Sequence, residues 1–200
     1  MDKYNIELIN NTNDSLVGKS IKFGFNKESN NMYSWTIICE NKDSILLWSD
    51  YILKDIMFYD KLNQEDYNMY RNSCIKEYLN NEFVKNFNES ELDLIESLGK
   101  DKFYILSEDD LIRYFSIDYN KENKFLCAKP DSLLFSKSFE TNESGYGKYW
   151  LKNFDSKHDY AKIIDSFGHI TRAKINNQNV GIRIALWLKK NKTYNLLEKK

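Results

Sequence analysis

The order of hydrophobic patterns predicts an α+β fold in a single domain spanning residues 1–200. Three observations carry that expectation. β-Rich runs with turn chemistry between them fill the segment from Ser20 to Trp48. Helix-capping signatures then follow at Ser73, Asn88 and Ser107. Short β-rich runs return from Gly147 to Leu188. Strands, then helices, then strands is the pattern of an α+β chain rather than of alternating βα units.

Residues 1–18 are polar, Asn-rich and weakly patterned, and read as an arm. Ser20-Ile-Lys-Phe-Gly-Phe25 alternates as a half-buried strand does. Ser34–Glu40 and Ser44–Trp48 flank the turn Asn41-Lys-Asp and predict a hairpin. Ser73 is placed to cap a helix with Ile75, Tyr78 and Leu79 on one face. Asn88 and Glu91 have capping-box spacing, with Leu92, Ile95 and Leu98 as the buried stripe and Gly99 as the stop. Phe103–Leu106 reads as a short strand, and Ser107 with Asp110 starts another helix. Residues 116–148 are irregular and polar, a length that in a compact domain points to function or to local structure. The closing strands are expected at 147–151, 161–164, 170–175 and 180–188, the last as one continuous run.

Hydrophobic residues make up 42% and aromatics 15%, enough for a well-filled core with aromatics left for the surface. One proline and seven glycines leave no segment that reads as a flexible linker. Charge is balanced, 29 basic against 30 acidic residues, which argues against nucleic acid as a partner. The local exception is the basic tail at 189–200. Cys39, Cys74 and Cys127 are dispersed and odd in number, so they are expected to be free thiols in a cytoplasmic setting. No signal-peptide pattern opens the sequence, and no apolar run approaches the ~20 residues that span a bilayer.

A string of separated signatures supports a family resemblance. Trp35 opens a strand, and Leu46-Leu-Trp-Ser49 leads on to Leu53. Tyr70, Ser73, Ile75, Lys76, Tyr78, Leu79 and Asn80 form a helix motif. Phe83, Phe87 and Glu91 come next, followed by Leu106, Ser107 and Asp110. Tyr149-Trp-Leu-Lys152, Gly168 and Gly181-Ile-Arg-Ile-Ala-Leu186 close the string. In order and spacing these resemble the bacterial family catalogued as domain of unknown function 6273, over residues 21–188. Lys76 and Lys152 stand where that family often has Arg, and Ile184 where it has Pro. The closing motif also resembles C-type-lectin-like domains of the formylglycine-generating kind. That remoter likeness implies a small, twisted, mostly antiparallel sheet with two to three short helices.

No catalytic residues, metal ligands or cofactors are assigned from the sequence. The cluster Asp155-Ser-Lys-His158-Asp159, with His169, lacks the ligand spacing of zinc or calcium sites. The sugar-binding calcium motifs of lectins are missing, and the cysteines do not form the paired site that copper-dependent oxidation would need. A Cys127 dyad with His158 or His169 has no local nucleophile signature around it. Trp35, Ser73, Lys76, Trp150, Gly168 and Arg183 are expected to be structural. Arg183 lies in an apolar run and is expected to find a carboxylate such as Glu82 or Glu91. Segment 135–160 mixes aromatics with adaptable polar residues. It assigns Phe139, Asn142, Tyr146, Lys152, Asp155, His158 and Tyr160 as the binding surface.

The expected function is non-catalytic binding of a macromolecule. A protein partner is preferred to a glycan, with neither nucleic acid nor membrane involved, and an inhibitor carried by a phage or mobile element fits the size. One alternative is an enzyme or small-anion binder built around Arg183, His158 and His169. Another is a nucleic-acid binder acting through the basic C-terminal end.

Overall fold

A computed structural model describes residues 15–59, 70–117, 123–155 and 159–190. The N-terminal arm up to residue 14, the tail from 191 and His158 lie outside the described residues, and so does the side chain of Asp155. In chain order the elements begin with β1 (Ser20–Asn26), β2 (Asn31–Glu40), β3 (Ser44–Ser49) and β4 (Lys54–Asp55). Next come α1 (Cys74–Asn81), α2 (Glu89–Leu94), β5 (Ile95–Glu96), α3 (Glu108–Phe115) and α4 (Ser132–Ser136). The chain closes with β6 (Tyr149–Asp155), β7 (Tyr160–Ile164), β8 (Ile170–Lys174), β9 (Gly181–Ile182) and β10 (Ala185–Lys189). The fold is α+β. Its strands form two five-stranded sheets rather than the one expected, in the orders β1-β2-β3-β10-β5 and β4-β9-β6-β7-β8.

The β2–β3 hairpin forms as its turn chemistry predicts. Asn41 Oδ1 accepts from the Asp43 and Ser44 amides, so the side chain closes the turn before the ladder begins. β3 is buried along its whole length. Ile45 and Leu47 belong to one apolar cluster, while Leu46 and Trp48 belong to another on the opposite face. Burial on both faces explains why this strand reads as a continuous apolar run rather than an alternation. Each such large side chain contributes about 1.5–3 kcal/mol by leaving water. The buried indoles keep their hydrogen bonds: Trp35 donates to the Phe23 carbonyl and Trp150 to the Ile56 carbonyl, each at 2.7 Å.

All three predicted helix starts hold. Ser73 accepts from the Lys76 amide, and Asn88–Glu91 and Ser107–Asp110 close reciprocal capping boxes. The far ends differ from expectation. α2 stops at Leu94, where the chain turns into β5 to pair with β10. Gly99 instead serves a turn between Leu98 and Asp101, and Leu98 is exposed rather than part of the stripe. Phe103–Leu106 does not form a strand; Tyr104 alone bridges Ala185. The stretch read as irregular holds α4, whose cap is Asp131 accepting from the Leu134 amide at 2.7 Å.

The largest departure is at the C-terminal run. Residues 180–188 do not form one strand. β9 pairs with β4 and β6, and β10 pairs with β3 and β5. Arg183 and Ile184 are the step by which the chain leaves one sheet and enters the other.

Candidate functional site

That step gathers the sequence signatures into one buried knot. Ser49 N donates to the Ile184 carbonyl at 2.8 Å, and Ile184 N donates to Ser49 Oγ at 3.0 Å. Arg183 Nε donates to the Ser49 carbonyl at 2.9 Å. Its guanidinium lies 3.4 Å from the centroid of the Trp48 ring and 5.4 Å from that of Tyr149. Arg183 is only 6% exposed. The expected ion pair with Glu82 or Glu91 does not form: Glu82 pairs with Lys85, and Glu91 closes its own capping box. A carbonyl and an aromatic face take the place of a carboxylate, with Asp50 acting on the charge from further off. Burial pushes the Tyr149 phenol up to about 12, against the pull of the Arg183 charge beside it. Tyr149 donates its hydroxyl to the Leu126 carbonyl at 2.7 Å. The arrangement holds two sheets together and leaves Arg183 no open face for substrate.

The remaining residues expected to be structural are buried or paired. Lys76 pairs with Asp101 at 2.8 Å. Gly168 has φ +86, and a Cβ there would sit 2.5 Å from the Asn123 carbonyl oxygen. Trp35 and Trp150 are fully buried.

The residues assigned to binding do not form one surface. Phe139 is a correction: it is 8% exposed, with its ring packed beneath Gly147, where a Cβ would meet it at 2.5 Å. A close-packed anchor of this kind presents nothing to a partner. Asn142 is a turn builder, accepting from the Ser144 and Tyr146 amides and donating to the Ser166 carbonyl. Tyr146 is half-buried with Lys129 over its ring. Lys152 is exposed and lies over the Tyr70 ring at 5.3 Å.

Tyr160 belongs to a different place, the outer face of β6–β7–β8. A shallow concavity of about 580 Å³ opens there. The ladder sets Tyr160 opposite Lys174 and Lys162 opposite Arg172. Between the Trp150↔Ile163 and Phe154↔Ala161 pairs, β6 carries residues 151–153 where β7 has Lys162 alone. This bulge leaves Lys152 exposed and aims Asn153 at the start of α3, where its Oδ1 accepts from the Glu108 amide at 2.6 Å. Glu108 then meets Lys162 at 3.3 Å. Arg172 lies over the Tyr160 ring at 5.4 Å. Among the described residues no carboxylate pairs with Arg172 or Lys174. Sequence reasoning missed Lys162, Arg172 and Lys174, although the alternation of β8 (Thr-Arg-Ala-Lys) marks an outward basic face once its partner strand is known.

The alternative site around Arg183 and His169 is not brought together. Arg183 is in the core, while His169 is half-exposed and bound within its own turn to Asp165 at 3.3 Å. Among the described residues there is no group of three or more His, Cys, Asp or Glu placed to hold a metal. None of their helices is long and apolar enough to cross a membrane. Among the described residues Cys39, Cys74 and Cys127 form no disulfide.

The family described as Domain of unknown function (DUF6273) matches residues 42–190. The chain belongs to this family. The match begins at Lys42, so all of β2 and the part of β1 from Ile21, which the resemblance included, precede it. The Ser49–Arg183–Tyr149 knot lies wholly inside the family region. No curated protein and no solved structure matches the chain.

Proposed function

We propose that the protein is a non-catalytic recognition domain that binds an acidic segment of another protein on the outer face of β6–β7–β8. The observation that carries this reading is the cross-strand placement of Tyr160 with Lys174 and Lys162 with Arg172. These residues present Arg172 and Lys174 without a carboxylate partner among the described residues, Lys162 paired with Glu108, and an aromatic ring, on two neighbouring strands beside a sheet edge at β8. Cation and ring together favour carboxylate-bearing partners, and the edge strand offers backbone groups for a partner strand. Three cations are few for nucleic acid, where affinity grows with the number of phosphates neutralised. A C-type-lectin-like topology is part of the same proposal, supported by the two mostly antiparallel sheets and the closing strand β10. A cytoplasmic setting is part of the reading too, in keeping with cysteines that form no disulfide among the described residues.

The test is fluorescence anisotropy of a labelled Glu/Asp-rich peptide and of a labelled single-stranded oligonucleotide. The peptide is expected to bind the parent protein and to lose at least about tenfold in affinity with Arg172→Glu. Melting should be unchanged in that variant, because Arg172 is exposed. Tighter binding of the oligonucleotide, with a steep salt dependence, would replace the reading with nucleic-acid recognition.

A further inference from the structure

β8 ends the sheet order β4-β9-β6-β7-β8, so one side of its backbone has no neighbouring strand in that sheet. The ladder with β7 fixes which groups lie on that side. Asp165 N donates to the His169 carbonyl at 3.0 Å, just before β8, and Ile175 N donates to the Asp159 carbonyl at 3.1 Å, just after it. Between these bonds the register is unbroken, from Ile164↔Ile170 to Tyr160↔Lys174. In an antiparallel ladder hydrogen-bonded pairs alternate with non-bonded ones. Thr171 and Ala173 therefore bond to β7, while Ile170, Arg172 and Lys174 turn their N–H and C=O groups to the open edge. Among the described residues no hydrogen bond reaches those groups.

The side chains of the same residues decide what can pair there. Ile170 is half-buried, whereas Arg172 and Lys174 are exposed. Arg172 is steadied over the Tyr160 ring at 5.4 Å. Lys162, across the ladder from it, is occupied by Glu108. Being two residues apart, Arg172 and Lys174 share one face and lie about 6.6 Å apart along the strand. A second copy of β8 laid antiparallel on this edge would set Arg172 opposite itself or opposite Lys174. Like charges directly opposite one another destabilise a strand pair, and charged edge residues guard against such self-pairing. The same two charges favour a strand with carboxylates at alternate positions, because each would meet a cation while the backbone completes the edge. An acidic helix would bring the charges but has spent its backbone groups on itself.

We propose that the acidic partner is taken up as an added β-strand on β8, with carboxylates two residues apart set against Arg172 and Lys174. The inference rests on the acidic-segment reading above and adds the conformation and spacing the partner must have.

The experiment is fluorescence anisotropy of four labelled peptides against the full chain. One alternates glutamate and threonine, and an isomer of the same composition has its glutamates contiguous. The other two are the alternating peptide N-methylated at the glutamate amides or at the threonine amides. The alternating peptide is expected to bind at least about tenfold more tightly than the isomer. Only one set of amides in an added strand faces β8. Methylation should therefore cost at least about tenfold at one set and leave affinity nearly unchanged at the other. Hydrogen exchange at the Arg172 and Lys174 amides should slow in the complex. Equal binding of the alternating peptide and the isomer, or equal loss from both methylations, overturns strand addition. If Arg172→Glu still weakens those peptides, the acidic-segment reading stands without it. Failure of every peptide to bind overturns both.

Discussion

Replacing Arg183 with alanine removes the guanidinium stacked on Trp48 at 3.4 Å and the 2.9 Å hydrogen bond to the Ser49 carbonyl. A hydrogen bond from a charged donor contributes about 1.5–3 kcal/mol. A desolvated cation–π contact contributes about 2 kcal/mol. Against these stands the relief of a buried charge whose Nη1 has no partner, worth about 1–3 kcal/mol. Taken at the middle of these ranges the net loss is about 2–3 kcal/mol, below the roughly 3–5 kcal/mol that breaking a buried ion pair costs. For a chain of this length each kcal/mol moves the midpoint by roughly 2–4 °C, so Arg183→Ala should melt roughly 4–12 °C lower. Arg183→Met separates the terms, because it keeps the stem and discards the charge. Its loss should be smaller than that of alanine. The assay is thermal melting followed in parallel by far-ultraviolet dichroism and tryptophan fluorescence, so that coincident transitions establish a single cooperative unit. Arg183→Ala melting within about 1 °C of the parent would refute the claim that this stack ties the two sheets.

Two further outcomes follow from particular residues. Burial raises the Glu91 carboxyl despite hydrogen bonds from the Asn88 and Gly24 amides. Its folded-state pKa lies above the unfolded value, so this contribution to stability is fully present below the unfolded pKa, about 4.3. It is lost as pH rises through the folded pKa. Glu91→Gln keeps an acceptor for the Asn88 amide without the charge. It is expected to melt above the parent at pH 7 and level with it at pH 4, and an advantage that grows on acidification would contradict this sign. Gly168→Ala places a Cβ 2.5 Å from the Asn123 carbonyl at φ +86. It should cost more than about 1–2 kcal/mol in urea unfolding, because left-handed strain and a backbone clash act together. A variant as stable as the parent would show that the Asn123 segment moves freely.

Local chemistry was legible in this sequence wherever a short stretch of chain decides it. Ser73, Asn88 and Ser107 start helices because a side chain and an amide three residues on need nothing else to find each other. Asn41 closes its turn for the same reason. Spaced signatures also marked the family, which the match over residues 42–190 establishes. The ends of elements were less legible, because partners distant in sequence set them. α2 gives way to β5 only because β10 is there to receive it. The apolar run at 180–188 looked continuous, since burial in one sheet or in two leaves the same composition. The break at Arg183 comes from Ser49, 134 residues earlier.

The candidate sites divide in the same way. Tyr160 stands out in the sequence as a tyrosine in a polar segment, but its neighbours Lys162, Arg172 and Lys174 become a face only through the register of β7 on β8. Phe139 was misplaced because exposure of a loop aromatic depends on what lies beneath it, here Gly147. The sequence by itself determined caps, turns, composition and family. Which buried polar groups are satisfied, and by which distant atoms, was decided by tertiary packing, because that choice depends on contacts between residues far apart in the chain.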